Sequence, residues 1–322
     1  MMKTSASAIA PRINPRTGYL FAVLNAIISG FAIYINSLGV KMFSDSTLYT
    51  TLKNAVVGVA LLIPMVLFAR QRAELRRLNP RQWGWLLLLA VIGGSVPYAL
   101  FFRGLQLTTP VTSSLLNHAQ FLIVAVLALV FLSERVGPWV WAALALLLVG
   151  VSFGANVSAL RWNEGALLVA LSTLFFAAGF VLAKHLLASL STTTVMAAKM
   201  TLGSLFLFAY VGAAGRLGAI TSLSTAQWLY VLATGLILLA FTVTAFIALR
   251  HATATAATAI PAAAPIITTA LVALSAGQIK IAPVDGIGLA LILVAVIAII
   301  FFGLRRERRR QAATSPEGMA FA

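Results

Sequence analysis

Two lysines stand inside stretches that are otherwise apolar. Lys53 and Lys199 each lie about one and a half to two helical turns from the nearer end of the run. An ammonium so placed has two uses. Its stem can snorkel to the nearer interface, or its charge can face a cavity and meet a carboxylate on a bound molecule. A second set lies between Pro110 and Val124, where Ser113, Ser114, Asn117, Gln120 and Phe121 fall within about 120° of arc on a helical wheel, with His118 at the edge. The amides and hydroxyls offer donors and acceptors to a polar molecule, and the imidazole offers a proton switch or a hydrogen bond to another helix. Thr258 and Pro261 occupy the matching face of a later stretch, where Pro261 and Pro265 remove backbone hydrogen bonds. Small residues on both faces also permit close helix packing, and the two roles are compatible. Tyr98 and Phe101, beside Pro97, add aromatic walls. This is chemistry of binding.

Signatures of bond breaking are weak. Gly150 to Gly154 fits G-x-S-x-G, but that motif needs a strand-turn-helix elbow with Asp and His partners. In an apolar run it reads as a glycine pair for helix packing. No phosphate-binding G-x-x-x-x-G-K-[ST] loop occurs, and there is no cysteine for disulfide or thiol chemistry. No enzyme activity, cofactor or metal is expected.

The elements that must position these residues are membrane helices. With 61% hydrophobic and 9% charged residues over 322 positions, and a mean hydropathy of +1.00, the chain is not built around one soluble core. Apolar runs long enough to cross the bilayer fall at 18–38, 48–69, 83–104, 110–132, 137–156, 164–187, 193–214, 226–249, 252–275 and 284–304. The fold class is therefore all-α integral membrane, with ten transmembrane helices. Residues 1–17 form a polar, basic N-terminal segment and 305–322 a basic tail expected to be disordered. A net charge of +16 would suggest nucleic acid in a soluble chain; here most basic residues lie in short loops and report topology, so no nucleic-acid partner is expected. Sixteen of them, from Lys3 to Arg310, fall on the side of both termini and five on the other, which predicts cytoplasmic termini in a cell (inner) membrane.

The chain repeats itself. Adding 144 to positions 103–135 gives 247–279 without a gap, pairing Ser114 with Thr258, Phe121 with Pro265, and Ser133-Glu134 with Gly277-Gln278. Gln82-Trp83 matches Gln227-Trp228, Lys53 matches Lys199, and Gly18 matches Gly165. Each half, 18–156 and 164–304, holds five spans, an odd number, so the halves enter the membrane from opposite sides. Two inverted five-helix repeats around a central cavity describe a secondary transporter.

Ten spans in two repeats, small-residue and proline-containing fourth and ninth spans, and Leu132-Ser133-Glu134-Arg135 resemble the drug/metabolite transporter superfamily in its EamA-type branch. Within that branch the chain looks most like the YddG-type aromatic amino-acid exporters. The resemblance implies a basket of ten helices, with the fifth and tenth peripheral, and export of amino acids or related metabolites. Gln278 departs from the glutamate often found there, and Lys53 and Lys199 stand where arginine is common in the first half.

Lys53, Tyr98, Phe101, Ser114, Asn117, His118, Gln120, Lys199, Thr258 and Pro261 are the expected substrate-binding residues. The expected partners are a small-molecule substrate and the lipid bilayer, with a monomer as the working assembly. All seven acidic residues, Asp45, Glu74, Glu134, Glu164, Asp285, Glu307 and Glu317, fall in loops or at span ends. Ion-coupled carriers keep a carboxylate in the membrane, so uncoupled transport of aromatic and other apolar amino acids is expected. A proton-coupled multidrug or organic-cation exporter of the same fold is the alternative.

Overall fold

The computed structural model describes residues 14–39, 42–153, 162–275 and 283–313. Its helices are α1 (Pro15–Gly39), α2 (Ser46–Leu67), α3 (Ala69–Arg77), α4 (Pro80–Gly94), α5 (Val96–Leu107), α6 (Pro110–His118), α7 (Gln120–Phe131) and α8 (Pro138–Phe153) in the first half. The second half holds α9 (Glu164–Leu187), α10 (Thr192–Ala197), α11 (Gly203–Ala213), α12 (Thr225–His251), α13 (Ala254–Ala259), α14 (Ala264–Ser275) and α15 (Pro283–Ala313). Among the described residues, eight helical stretches are long and apolar enough to cross a membrane. The fourth and fifth expected spans are represented by shorter apolar helices, Leu115–Phe131 and Pro138–Phe153.

The halves use matched local devices. Asn79 and Gln82 close a capping box at the start of α4, and Ser224 and Gln227 close one at the start of α12. The recurring glutamine is thus the N3 member of a cap, its side chain satisfying the N-cap amide. Thr109 accepts from the amide of Thr112 and Thr253 from that of Ala256, both at 3.2 Å. Gly18 lets α1 cross the chain at His251 and Ala252, where a Cβ would come within 2.5 Å of the Ala252 nitrogen. Gly165 does the same for α9 at Leu107 and Thr108, with a Cβ 2.7 Å from the Thr108 nitrogen. Each half's first helix thus lies on the other half's third.

Polar contacts sort the helix ends into two groups. At one end, the Asn14 amide donates to His251 Nδ1, Lys184 Nζ to the carbonyls of Leu249 and Ala252 at 2.6 Å each, and the Ala254 amide to the Glu134 carboxylate at 2.9 and 3.0 Å. At the other, Arg216 pairs with Asp45 at 3.0 Å, Gln227 donates to the Met42 carbonyl, and Asn163 to that of Leu107.

Four spans are not continuous. The fourth breaks at Ala119, between α6 and α7, and the ninth at a 3-10 turn, Ile260–Ala263, between α13 and α14. The two breaks coincide under the 144 offset, although only the second has proline in it. The third breaks at Ser95, where Pro97 offers no N–H and Gly93-Gly94 weaken the turn. The seventh carries a π-helical turn, Ala198–Leu202. These last two have no counterpart in the other half, where α12 and α2 run unbroken.

Two further outcomes concern expected segments. Arg305 to Ala313, expected within a disordered tail, continues α15; Arg, Glu, Gln and Ala are all good helix formers. Residues 314–322 lie outside the described ones, as do 1–13. Gly150 sits where α8 meets α15, a Cβ there coming within 2.9 Å of the Ile292 nitrogen, which fits a packing glycine.

A tight glycine crossing joins α4, α9 and the π turn. A Cβ on Gly94 would meet the Lys199 carbonyl at 2.6 Å and Gly203 Cα at 3.1 Å, and one on Gly179 would meet Gly93 Cα at 2.7 Å. Those neighbours are backbone and cannot move aside. Gly94→Ala is therefore expected to cost about 1–3 kcal/mol, read as a lower melting temperature in detergent. Gly84→Ala, with nothing within 4 Å, should leave it unchanged or slightly higher.

Candidate functional site

The crossing fixes Lys199. As the second residue of the π turn it leaves the helix toward the interior, and its Cε lies 3.7 Å from the place a Gly93 Cβ would take. Its Nζ lies over two rings, 5.4 Å from the centroid of Phe180 on α9 and 5.5 Å from that of Phe246 on α12. Phe246 is buried, at 2% exposure, whereas Lys199 and Phe180 are partly accessible. Among the described residues it has no carboxylate partner and no hydrogen bond. A lysine one and a half to two turns inside a span costs up to about 3 kcal/mol, and a desolvated cation–π contact returns about 2 kcal/mol. Two rings nearly balance the charge but leave all three ammonium protons undonated.

Lys53 is held differently. Its Nζ donates to Asn36 Oδ1 at 3.2 Å and lies 5.0 Å over the Tyr49 ring, while the Tyr49 hydroxyl donates to the same oxygen at 2.7 Å. The lysine, asparagine and tyrosine tie α2 to α1. The repeat puts the two lysines at matching positions, and the π turn gives them different surroundings.

Around α9 the structure gathers most of the other expected residues. α4, α5, α6, α7, α12 and α13 all touch it. Tyr98, on α5, sets its ring edge-on to Phe176 of α9 at 5.0 Å, and Ser172 donates to the Pro97 carbonyl at 2.7 Å. Phe101 packs edge-on against Phe102 at 5.6 Å. Asn117 and His118 end α6 and Gln120 begins α7, all partly accessible on either side of the Ala119 break. The amides of Asn117 and Gln120 have no hydrogen-bond partner among the described residues. Ser113, Phe121 and Val124, on the same expected face, are buried in packing. The side chain of Ser114 lies outside the described ones. Thr258 turns its hydroxyl back to the Ala254 carbonyl at 2.9 Å, and Pro261 sits in the 3-10 turn, partly accessible.

The two broken spans meet at one end of the bundle. α7 packs against α13 there, and the Glu134 carboxylate caps α13 through the Ala254 amide. Toward the other end α6 packs on α9 and α14 on α1.

The sequence profile of the EamA-like transporter family matches twice, at residues 16–154 and 163–301. The chain belongs to the EamA-like transporter family. Its repeated unit is the family's domain, and the protein is a multi-pass membrane transporter of the drug/metabolite transporter superfamily. The family's members are transporters rather than enzymes. A crystal structure of another protein superposes with a TM-score of 0.71 over 90% of this chain and 99% of that one, at 17% identity, a likeness of fold alone. No curated protein matches the sequence.

Phe180, Phe246 and Phe176 complete the aromatic surroundings of this transporter's interior. Phe180 was not singled out by sequence, and its signal was Gly179: a glycine that lets α9 touch α4 also aims the next residue at the gap. Removing Lys199 breaks no hydrogen bond, whereas removing Lys53 deletes a charge-assisted one. Lys199→Met is therefore expected to hold or raise the melting temperature, and Lys53→Met to cost about 2 kcal/mol, both read by thermal unfolding in detergent.

Proposed function

We propose that this transporter is a facilitator for amino acids, aromatic and other apolar ones, working by alternating access in the manner of YddG-type aromatic amino-acid exporters. In this reading ten helices cross the inner membrane as two inverted five-helix repeats, with both termini cytoplasmic. The observation that carries the substrate class is the Lys199 ammonium, set between Phe180 and Phe246 with no anionic partner among the described residues. A carboxylate entering that space meets three free N–H donors in a dry setting, where a charge-assisted hydrogen bond is strong. Phe180 and the Tyr98–Phe176 pair give an aromatic side chain rings to rest on. Asn117 and Gln120 supply amide donors and acceptors, with Ser114, His118, Thr258, Pro261, Phe101 and Lys53 as the remaining candidate contacts.

The inverted arrangement is supported by reciprocal glycine contacts. Gly18 against Ala252 and Gly165 against Thr108 join matching residues at opposite ends of the bundle, as a two-fold axis in the membrane plane requires. Alternating access is supported by the broken spans, whose α7 and α13 pack together while α6 packs on α9 and α14 on α1. An organic-cation exporter is disfavoured because the protein's own cation already occupies the aromatic pair.

Proteoliposomes preloaded with unlabelled phenylalanine are expected to take up labelled phenylalanine saturably, without a pH or sodium gradient, and tryptophan should compete. Absence of counterflow by folded protein would rule out the substrate or the uncoupled mechanism, and a rerun with a pH gradient and organic cations separates them. Lys199→Met should raise the KM for phenylalanine about tenfold to a hundredfold, with Lys53→Met changing it far less. Equal KM values in Lys199→Met and the parent protein would remove Lys199 from the site.

A further inference from the structure

The outer surface of the bundle carries a groove that the transport reading leaves unused. Between α2, α4 and the α10 segment running into the π turn, an almost wholly apolar cavity of about 130 Å³ opens outward. Its rim holds Leu62 and Trp83, each 40% exposed, and Met65, Leu86 and Ala197 are buried along its floor. Leu75 completes the lining, and Leu75 belongs to α3.

That short helix reads Ala-Arg-Gln-Arg-Ala-Glu-Leu-Arg-Arg. Leu75 and Leu78 turn under it onto the core, while Arg70, Arg72, Arg76 and Arg77 are exposed. Glu74 fastens it in place, accepting from the Ser191 amide at 2.7 Å and the Thr194 hydroxyl at 3.0 Å at the start of α10. Arg72 donates to the carbonyl of Val66 and, with Arg76, Arg77 and two alanines, lines a shallow concavity on the same helix. Arg72, three residues before Leu75, neighbours it on the helix surface, and Arg76, four residues after Arg72, shares a face with Arg72. An apolar slot on the outer surface of the bundle thus lies beside the arginines of α3, of which Arg72 is anchored to the backbone.

We propose that this groove and α3 together bind an anionic phospholipid, one acyl chain lying in the slot and the phosphate held by Arg72 and Arg76. The charge set selects the headgroup: a zwitterionic lipid brings a cationic choline against the same arginines, and soluble phosphate leaves the slot unfilled. Ala198, Thr201 and Leu202 line the slot from the π turn, whose Lys199 leaves on the interior side. A lipid seated there touches the backbone that aims the ammonium. The proposal does not depend on which substrate is carried.

The test uses delipidated full-length protein in detergent and native mass spectrometry with phosphatidylglycerol and phosphatidylcholine of identical acyl chains. Phosphatidylglycerol should be retained preferentially. Arg72→Ala with Arg76→Ala should cut its apparent affinity about thirtyfold, toward that of phosphatidylcholine. Leu62→Trp, which fills the slot from an exposed rim position, should also weaken retention with every arginine in place. Phosphatidylglycerol brominated on its acyl chain should quench a component of tryptophan emission that Trp83→Phe lacks. Equal retention of the two lipids, an unaffected double arginine variant, full displacement by millimolar inorganic phosphate, or no quenching of Trp83 would each overturn the proposal. Melting temperatures equal to the parent's establish that the variants, all at exposed positions, are folded.

Discussion

Helices surrounded by hydrocarbon gain nothing hydrophobic by meeting one another, so close backbone approach has to hold them together. In this transporter that constraint falls on glycines. Gly93 and Gly94 of α4 lie against Gly179 of α9 and Gly203 at the start of α11, at distances no side chain could share. The contact brings the π turn against the Ser95 break, and both irregularities sit at the same crossing. A continuous seventh span would have carried Lys199 at another angle. Van der Waals contact between bare backbones thus decides where the interior charge lies.

Charged side chains elsewhere are spent on helix ends. Glu134 caps α13, Glu74 caps α10, Lys184 satisfies the carbonyls at the end of α12, and Arg250 donates to the Leu190 carbonyl. Each serves backbone groups that helix termini leave unpaired. Breaking spans in the membrane multiplies such termini, and confining most caps to one end of the bundle keeps the middle free of carboxylates. The ammonium of Lys199 is left there with aromatic faces rather than a carboxylate beside it.

Much of this was legible in the residues. The repeat, with offsets drifting from 147 to 144, paired the glutamines that prove to cap α4 and α12 and the glycines at which α1 and α9 cross, and the prolines marked the interruption of the ninth span; the break at Ala119 left no such mark. The expected faces of the fourth and ninth spans were less informative, since Ser113, Phe121 and Val124 proved to be packing while Asn117 and Gln120 stayed accessible. A helical wheel treats as continuous what Ala119 divides. The different settings of Lys53 and Lys199 could not be read from the repeat at all. A π turn has no composition of its own, and its cause lies in a glycine contact with another helix.

In the proposed alternating-access cycle, the cap on α13 bears on the balance between the inward and outward forms. Ala254 offers Glu134 an N–H, but the matching residue in the first half is Pro110, which has none, and the counterpart of Glu134 is the uncharged Gln278. A duplicated chain with identical halves would hold its inward and outward forms at equal free energy. Here one closure gains a charge-assisted hydrogen bond of about 1.5–3 kcal/mol that its mirror form cannot make, enough to bias the resting population roughly tenfold to a hundredfold toward it. In the proposed cycle, divergence between the halves thereby gives the transporter a preferred waiting state.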